Sequence, residues 1–265
     1  MKYNKYIAIM RSSIQDSIAY RTAFFSNLFF SVVKMVCLFY IWKAIFASNE
    51  VVNGFGWENL KQYLLISYIC NNLLSLKTDY EISKKIMVGS VIMDLLRPIN
   101  FQKANFAQTV GASIFEGTFS TVFVGTLLKL TFDISLPNHP QTWIMTAISI
   151  LCSLWVRYTL IFLFSLLCFW TTSINGIVAF RTALINLFSG ALIPLNFFPD
   201  WFKTVALFSP FQSLLHTPAS IFLQKVDIYT AFTLIGVQIL WFGVMWLLGS
   251  LFWRKAMKKL TVYGG

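Results

Sequence analysis

A chain that offers six apolar runs, nearly all of them long enough to cross a membrane, has few ways to fold. The runs lie at about Thr22 to Phe46, Leu60 to Leu76, Ala104 to Leu128, Thr142 to Phe169, Ile174 to Leu195 and Tyr229 to Trp253. All but the second reach or exceed the ~20 residues a helix needs to traverse the hydrocarbon. In lipid each backbone N–H and C=O must be satisfied, and a helix does this within one segment. The expectation is therefore an all-α polytopic membrane protein with six transmembrane helices, forming a single domain over residues 1–265. Composition agrees: 12% of residues are charged, about half the ~25% that covers a soluble fold.

The formal charge of +11 would suit a nucleic-acid partner. The basic residues, however, flank apolar runs instead of forming a stripe with interleaved aromatics, so no nucleic acid is expected. Their distribution reads as orientation. Lys2, Lys5, Arg11 and Arg21, then Lys77, Lys84, Lys85, Arg97 and Lys103, then Arg254, Lys255, Lys258 and Lys259 fall on one side, against Lys61, Lys129, Lys203 and Lys225 on the other. Both termini and the first long loop are expected to be cytoplasmic. Cys37, Cys70, Cys152 and Cys168 form no CxxC pair, and His139 and His216 are far apart. Neither a metal site nor a histidine-based catalytic centre is expected.

Residues 1–20 are not a signal peptide, because Arg11 and Asp16 interrupt the place of an apolar core. Tyr3, Ile7, Met10, Ile14 and Ile18 recur every three or four residues, the pattern of an amphipathic helix on the membrane interface. A solvated N-terminal helix is the other reading. In the third run Ser113, Gly117, Thr121 and Gly125 fall at every fourth position, which lets backbones approach closely and predicts a buried helix.

Two segments between the runs are too patterned to be plain connectors. The loop 77–103 is polar and basic, yet it keeps Ile82, Ile86, Val88, Ile92, Leu95 and Leu96 at spacings compatible with short helices, broken at Gly89 and stopped at Pro98. It reads as a docking surface held outside the membrane. Segment 194–220 is cut by Pro194, Pro199, Pro210 and Pro218 and carries Phe197, Phe198, Trp201, Phe202, Phe208 and Phe211. Two readings stand: a re-entrant extracytoplasmic helical hairpin before the last span, tolerated where protein buries its backbone, or a surface loop anchored by its aromatics.

Lys34, Glu116, Arg157 and Arg181 fall inside predicted spans, where a charge at a helix centre costs ~2.5 to 3.5 kcal/mol. By helix rise, Lys34 and Glu116 both lie roughly 18 Å in from the cytoplasmic end, so an ion pair between them is geometrically open. Arg157 and Arg181 lie roughly 10 Å in. Either these groups line a pathway favouring an anionic or amphiphilic cargo, or they snorkel and pair structurally.

The arginine-led start of the first run, AYRTAFFSNL, the run GSVIMDLLRP from Gly89 to Pro98 and the run SGALIPLNFFP from Ser189 to Pro199 carry a resemblance. With the order of segments, they make the chain similar over nearly its whole length to permease subunits of bacterial type-two ABC (ATP-binding cassette) exporters. The resemblance implies that the first cytoplasmic loop holds a coupling helix seated in a separate ATPase subunit. That role falls on Lys84, Lys85, Gly89, Asp94, Leu95, Leu96, Arg97 and Pro98. It implies that Pro194, Phe197, Phe198, Pro199, Trp201, Phe202 and Phe211 cap the outer end of the pathway. It further implies two ATPase copies and a second permease, identical or related, in the bacterial cytoplasmic membrane. No G-x-x-x-x-G-K-[ST] phosphate loop occurs, so the chain is expected to be no enzyme and to hold no cofactor, with ATP and Mg handled by the partner. An ion-gradient-driven transporter, an intramembrane enzyme and a non-transporting immunity or scaffold protein are the rival classes.

Overall fold

The computed structural model describes residues 3–19, 21–47, 51–52, 54–72, 76–171 and 173–258. Lys2, Lys259 and residues 73–75, where the second run is expected to end, lie outside the described residues. The chain forms α1 (Tyr3–Ala19) and α2 (Arg21–Phe46), a two-residue antiparallel pair of β1 (Val51–Val52) and β2 (Phe55–Gly56), then α3 (Trp57–Asn72). There follow α4 (Leu76–Met87), α5 (Val91–Leu95), α6 (Phe101–Phe132), α7 (Pro140–Leu166) and α8 (Ile174–Phe188). The short α9 (Asp200–Phe208) and α10 (His216–Phe222) precede α11 (Ile228–Met257). The small β pair was not expected from the apolar pattern; it turns at Gly54, whose φ of 76° suits glycine.

Among the described residues, four stretches are long and apolar enough to cross a membrane: Phe24–Phe46, Phe101–Phe132, Pro140–Phe169 and Ile228–Met257. They make the chain an all-α polytopic membrane protein. α3 has 16 residues and α8 has 15, so at ~1.5 Å per residue each is shorter than the ~30 Å hydrocarbon layer. α8 ends at Phe188, well before the expected Leu195, where the chain turns under a contact from α3. Gly190 adopts φ 83°, and its carbonyl accepts from Tyr63 Oη of α3 at 2.6 Å. A Cβ at Gly190 would lie 2.7 Å from that same oxygen.

Helix starts are set by local caps. Asn100 Oδ1 accepts from Lys103 N at 3.0 Å to begin α6, and Ser173 Oγ accepts from Gly176 N at 3.1 Å to begin α8. Pro140 opens α7, where its missing N–H costs nothing.

Paired residues give the directions of the helices. α1 and then α2 run parallel along one side of α6: Ser13 bonds Gln108, Ser17 bonds Glu116, Phe24 meets Phe119, and Phe39 stacks on Phe132. α3 runs the other way, with Tyr68 on Ser120 and Gln62 on Ser135. α7 and α11 are parallel, with Ser149 on Gln238 and Tyr158 against Trp246. α8 opposes α7, as Phe164 meets Phe180 while Leu160 packs with Ile185.

The buried central helix is α7, not the third span. α6 buries one side and exposes Phe119, Val122, Phe123 and Leu130. A close backbone approach lies off the predicted stripe, at Gly111, where a Cβ would strike the Met10 carbonyl of α1, while Gly125 of the stripe has open space. α7 is enclosed by α3, α4, α8, α10 and α11. The side chains that α1 buries are Ser13 and Ser17, while Ile7 and Ile18 of its apolar stripe are exposed.

Candidate functional site

At one end of the bundle α4 is anchored by its apolar face. Ile82 and Ile86 pack with Tyr158, Phe162 and Leu166 of α7, and Ser83 Oγ lies 3.2 Å from Ser165 Oγ. The helix closes at Gly89, φ 75°, with Gly89 N donating to Ile86 O at 3.2 Å. The chain then reverses into α5, and Lys85 Nζ meets Asp94 Oδ2 at 3.1 Å across the turn. Val91 is fully buried beneath this tip. Beyond α5, the carbonyl of Pro98 accepts from Lys5 Nζ at 2.8 Å, so α1 braces the far side of the loop.

What this frame holds up is apolar and bare. Leu96 is 74% exposed and Val88 71%, with Met93 and Leu95 beside them. Lys84, Arg97 and Pro98 are exposed around the patch. Apolar side chains ringed by charged ones in this way suit burial against a partner surface. The loop residues expected to act together are thus gathered on one braced tip.

Inside the bundle a cavity of about 230 Å³ lies among α2, α3, α6, α7 and α8. Lys34, Glu116 and Arg157 line it together with Asn71, Asn72 and Asn186. The ion pair left open between Lys34 and Glu116 does not form: Glu116 Oε1 accepts from Ser17 Oγ at 3.0 Å, and the ion pairs among the described residues are Lys61 with Glu58 and Lys85 with Asp94. Sequence depth placed the two charges level but could not see that α1 lies against α6. Arg157 Nη1 donates to the Cys70 carbonyl at 2.9 Å, capping the end of α3. Arg181 is buried on the face of α8 that carries Ile177 and Ile185, and it does not line the cavity.

At the opposite end, segment 194–223 folds back on the bundle. Phe197 meets Trp42 and Phe55 at 5.3 and 5.7 Å, and Phe202 stacks on Phe188 and Phe198 at 5.0 and 4.6 Å. Phe211 also packs on Phe188 at 5.8 Å. Pro194 is buried and Pro199 exposed at the start of α9, while Trp201 and Phe208 point outward.

The profile described as ABC-2 family transporter protein matches residues 32–264. The chain belongs to the ABC-2 transporter family. Membership carries an integral membrane location, a transport-permease role and the pairing with an ABC ATPase that is general in the family. A search of curated proteins finds no match.

In this ABC-2 chain a buried polar node lies where sequence reading did not look. Gln238 of α11 is fully buried; its Nε2 donates to the Ser213 carbonyl at 2.8 Å and its Oε1 accepts from Ser149 Oγ at 3.0 Å. Ser153 Oγ donates to the same Ser213 carbonyl at 2.7 Å. The irregular turn between α9 and α10 is thereby satisfied by α7 and α11. One signal was available: an isolated amide in the apolar string GVQILW is costly in a span unless it has an internal partner.

Proposed function

We propose that this chain is the membrane-spanning subunit of an ATP-driven ABC exporter, coupled to a separate ATPase through the loop from Lys84 to Pro98. The observation that carries the reading is the bare apolar tip of Val88, Met93, Leu95 and Leu96 on a base braced by α1, α4 and α7. ATP-driven closure of the ATPase dimer would move the tip as a rigid body and shift the permease between inward-open and outward-open states. Leu95, Leu96 and Ile99 fill an apolar groove on the ATPase, Arg97 pairs with a carboxylate there, and Pro98 ends the element.

The working assembly is two ATPase subunits, which bind ATP and Mg, and two permeases, identical or related. The chain itself performs no catalysis. Six crossings are supported by the alternating directions of α2, α3, α6, α7, α8 and α11. Segment 194–220 is re-entrant at the extracytoplasmic end, and the Lys and Arg excess places both termini and the loop in the cytoplasm of a bacterial cell. Lys34, Glu116, Arg157 and Arg181 are candidates along or near the pathway.

Proteoliposomes holding the chain with its cognate ATPase test this. Leu96→Asp or Arg97→Glu is expected to leave insertion intact and uncouple ATP hydrolysis from export. Export that persists without ATP and follows an ion gradient would overturn the proposal.

A further inference from the structure

The docking loop hands its position to the bundle through the bonds at its far end, and these gather on residues 98–102. At the surface, Pro98 O accepts from Lys5 Nζ at 2.8 Å and Asn100 N donates to Tyr6 Oη at 3.4 Å. The next two residues face inward. Phe101 stacks on Trp253 of α11 at 4.4 Å, the rings within 9° of parallel. Gln102 is buried, and its amide grips α11 at two points: Nε2 donates to Trp246 O at 3.2 Å, and Oε1 accepts from Ser250 Oγ at 2.8 Å. Its own carbonyl accepts from Tyr158 Oη of α7 at 2.7 Å.

Apolar side chains can slide past one another, but directional bonds to two positions one helical turn apart fix both the rotation and the height of a helix. Gly249 keeps this grip short, since a Cβ there would lie 3.1 Å from Gln102 Nε2 and 3.1 Å from Phe162 Cδ1. Elsewhere α11 turns Phe232, Ile239, Leu240, Leu247 and Leu251 outward. Roughly 12 Å along the axis from Trp246, toward the end that carries segment 194–223, stands Gln238, the buried amide of α11 itself. It holds Ser149 of α7 and the Ser213 carbonyl. One rod is thus tied by an amide to the exit of the docking loop and by a second amide to the turn between α9 and α10.

We propose that Gln102 is a positioning residue that locks α11 to the docking loop, so that α11 carries a displacement of the loop to the turn at residues 209–215. The source of that displacement, ATP-driven closure, rests on the export reading, and docking alone leaves the turn closed. Hydrogen-bonded side chains joined by a rigid helix are the kind of contiguous network that couples distant sites. The tie itself needs no ATPase. It is therefore tested on the chain alone, where its failure is distinct from failure of the docking surface.

The test is hydrogen exchange of the purified full chain in nanodiscs, without ATPase. Gln102→Leu removes both bonds to α11 without stranding their partners, because Ser250 Oγ has Trp246 O at 3.1 Å as a second acceptor. It is expected to speed exchange in residues 209–215 by about tenfold, while residues 120–131, farther along α6 itself, exchange as in wild type. Ser250→Ala should act in the same direction, and Ser250→Thr, which keeps the hydroxyl, should match wild type. Gln238→Leu should also speed exchange in the turn, and adding Gln102→Leu to it should bring no further change, since the link is already cut at its far end. Association with the cognate ATPase should be as strong for Gln102→Leu as for wild type, unlike Leu96→Asp. Unchanged exchange at residues 209–215 in Gln102→Leu, effects that multiply in the double variant, or faster exchange throughout the chain would overturn the proposal. So would weakened ATPase association, since Gln102 would then support the tip and nothing beyond it.

Discussion

The loop 76–100 and the segment 194–223 are both interruptions between long helices, and they are finished in opposite ways. The second is tied back within the chain by polar bonds at its turn: the Ser213 carbonyl accepts from Gln238 and Ser153, and Phe197 and Phe202 pack, partly buried, on Trp42, Phe55 and Phe188, while Trp201 and Phe208 stay exposed. The first is completed only at its base. Ile82, Ile86 and Val91 are buried, yet the tip leaves Leu96 and Val88 bare. Irregular backbone near lipid must be satisfied internally because no water is there to help. In the proposed orientation the tip lies in water, has no such requirement, and leaves its apolar residues available to a partner.

The comparison is broken most strongly at Gln238. Gln238→Leu removes the acceptor of Ser149 Oγ and one of the two donors to the Ser213 carbonyl, which keeps Ser153 Oγ; at ~1 to 3 kcal/mol per buried group left unpaired, the loss should be about 2 kcal/mol. Thermal unfolding in detergent checks it, and an unchanged midpoint would mean the hairpin is held by aromatic packing alone. Leu96→Asp is the converse experiment. It should weaken association with the ATPase at least tenfold, about 1.4 kcal/mol, while stability stays within about 0.5 kcal/mol of wild type, as expected of an exposed site.

Smaller effects sharpen the account of the tip. Gly89 has φ 75° with open space where a Cβ would sit, so Gly89→Ala should cost only the backbone term of roughly 1 to 2 kcal/mol. Its larger consequence should be a misdirected Leu96, read as weaker ATPase association at unchanged expression. Lys85→Ala removes a partly exposed ion pair with Asp94. It is expected to change stability by at most about 1 kcal/mol, with the effect shrinking at high salt.

Much of this architecture is legible in the residues. Runs of apolar side chains predicted α2, α6, α7 and α11 almost to their ends, because length and hydropathy are local properties. Gly89 and Pro98 marked the turn and the end of the loop between α4 and α6, since positive φ and a missing N–H are also local. Contacts between helices were not legible. Nothing in the spacing of Ser113, Gly117, Thr121 and Gly125 revealed that a tight approach sits at Gly111 against α1. Nor did depth along a span reveal that Glu116 faces Ser17 instead of Lys34. α8 was drawn too long because its stop depends on Tyr63, remote in sequence.

Hydrogen exchange on the chain alone and in complex with its ATPase addresses the central claim most directly. Residues 85–97 should gain protection by at least tenfold on complex formation, while residues 210–222 should exchange slowly and equally in both states. Unchanged exchange in the loop, or new protection appearing at the hairpin instead, would contradict the assignment of the bare tip as the docking surface.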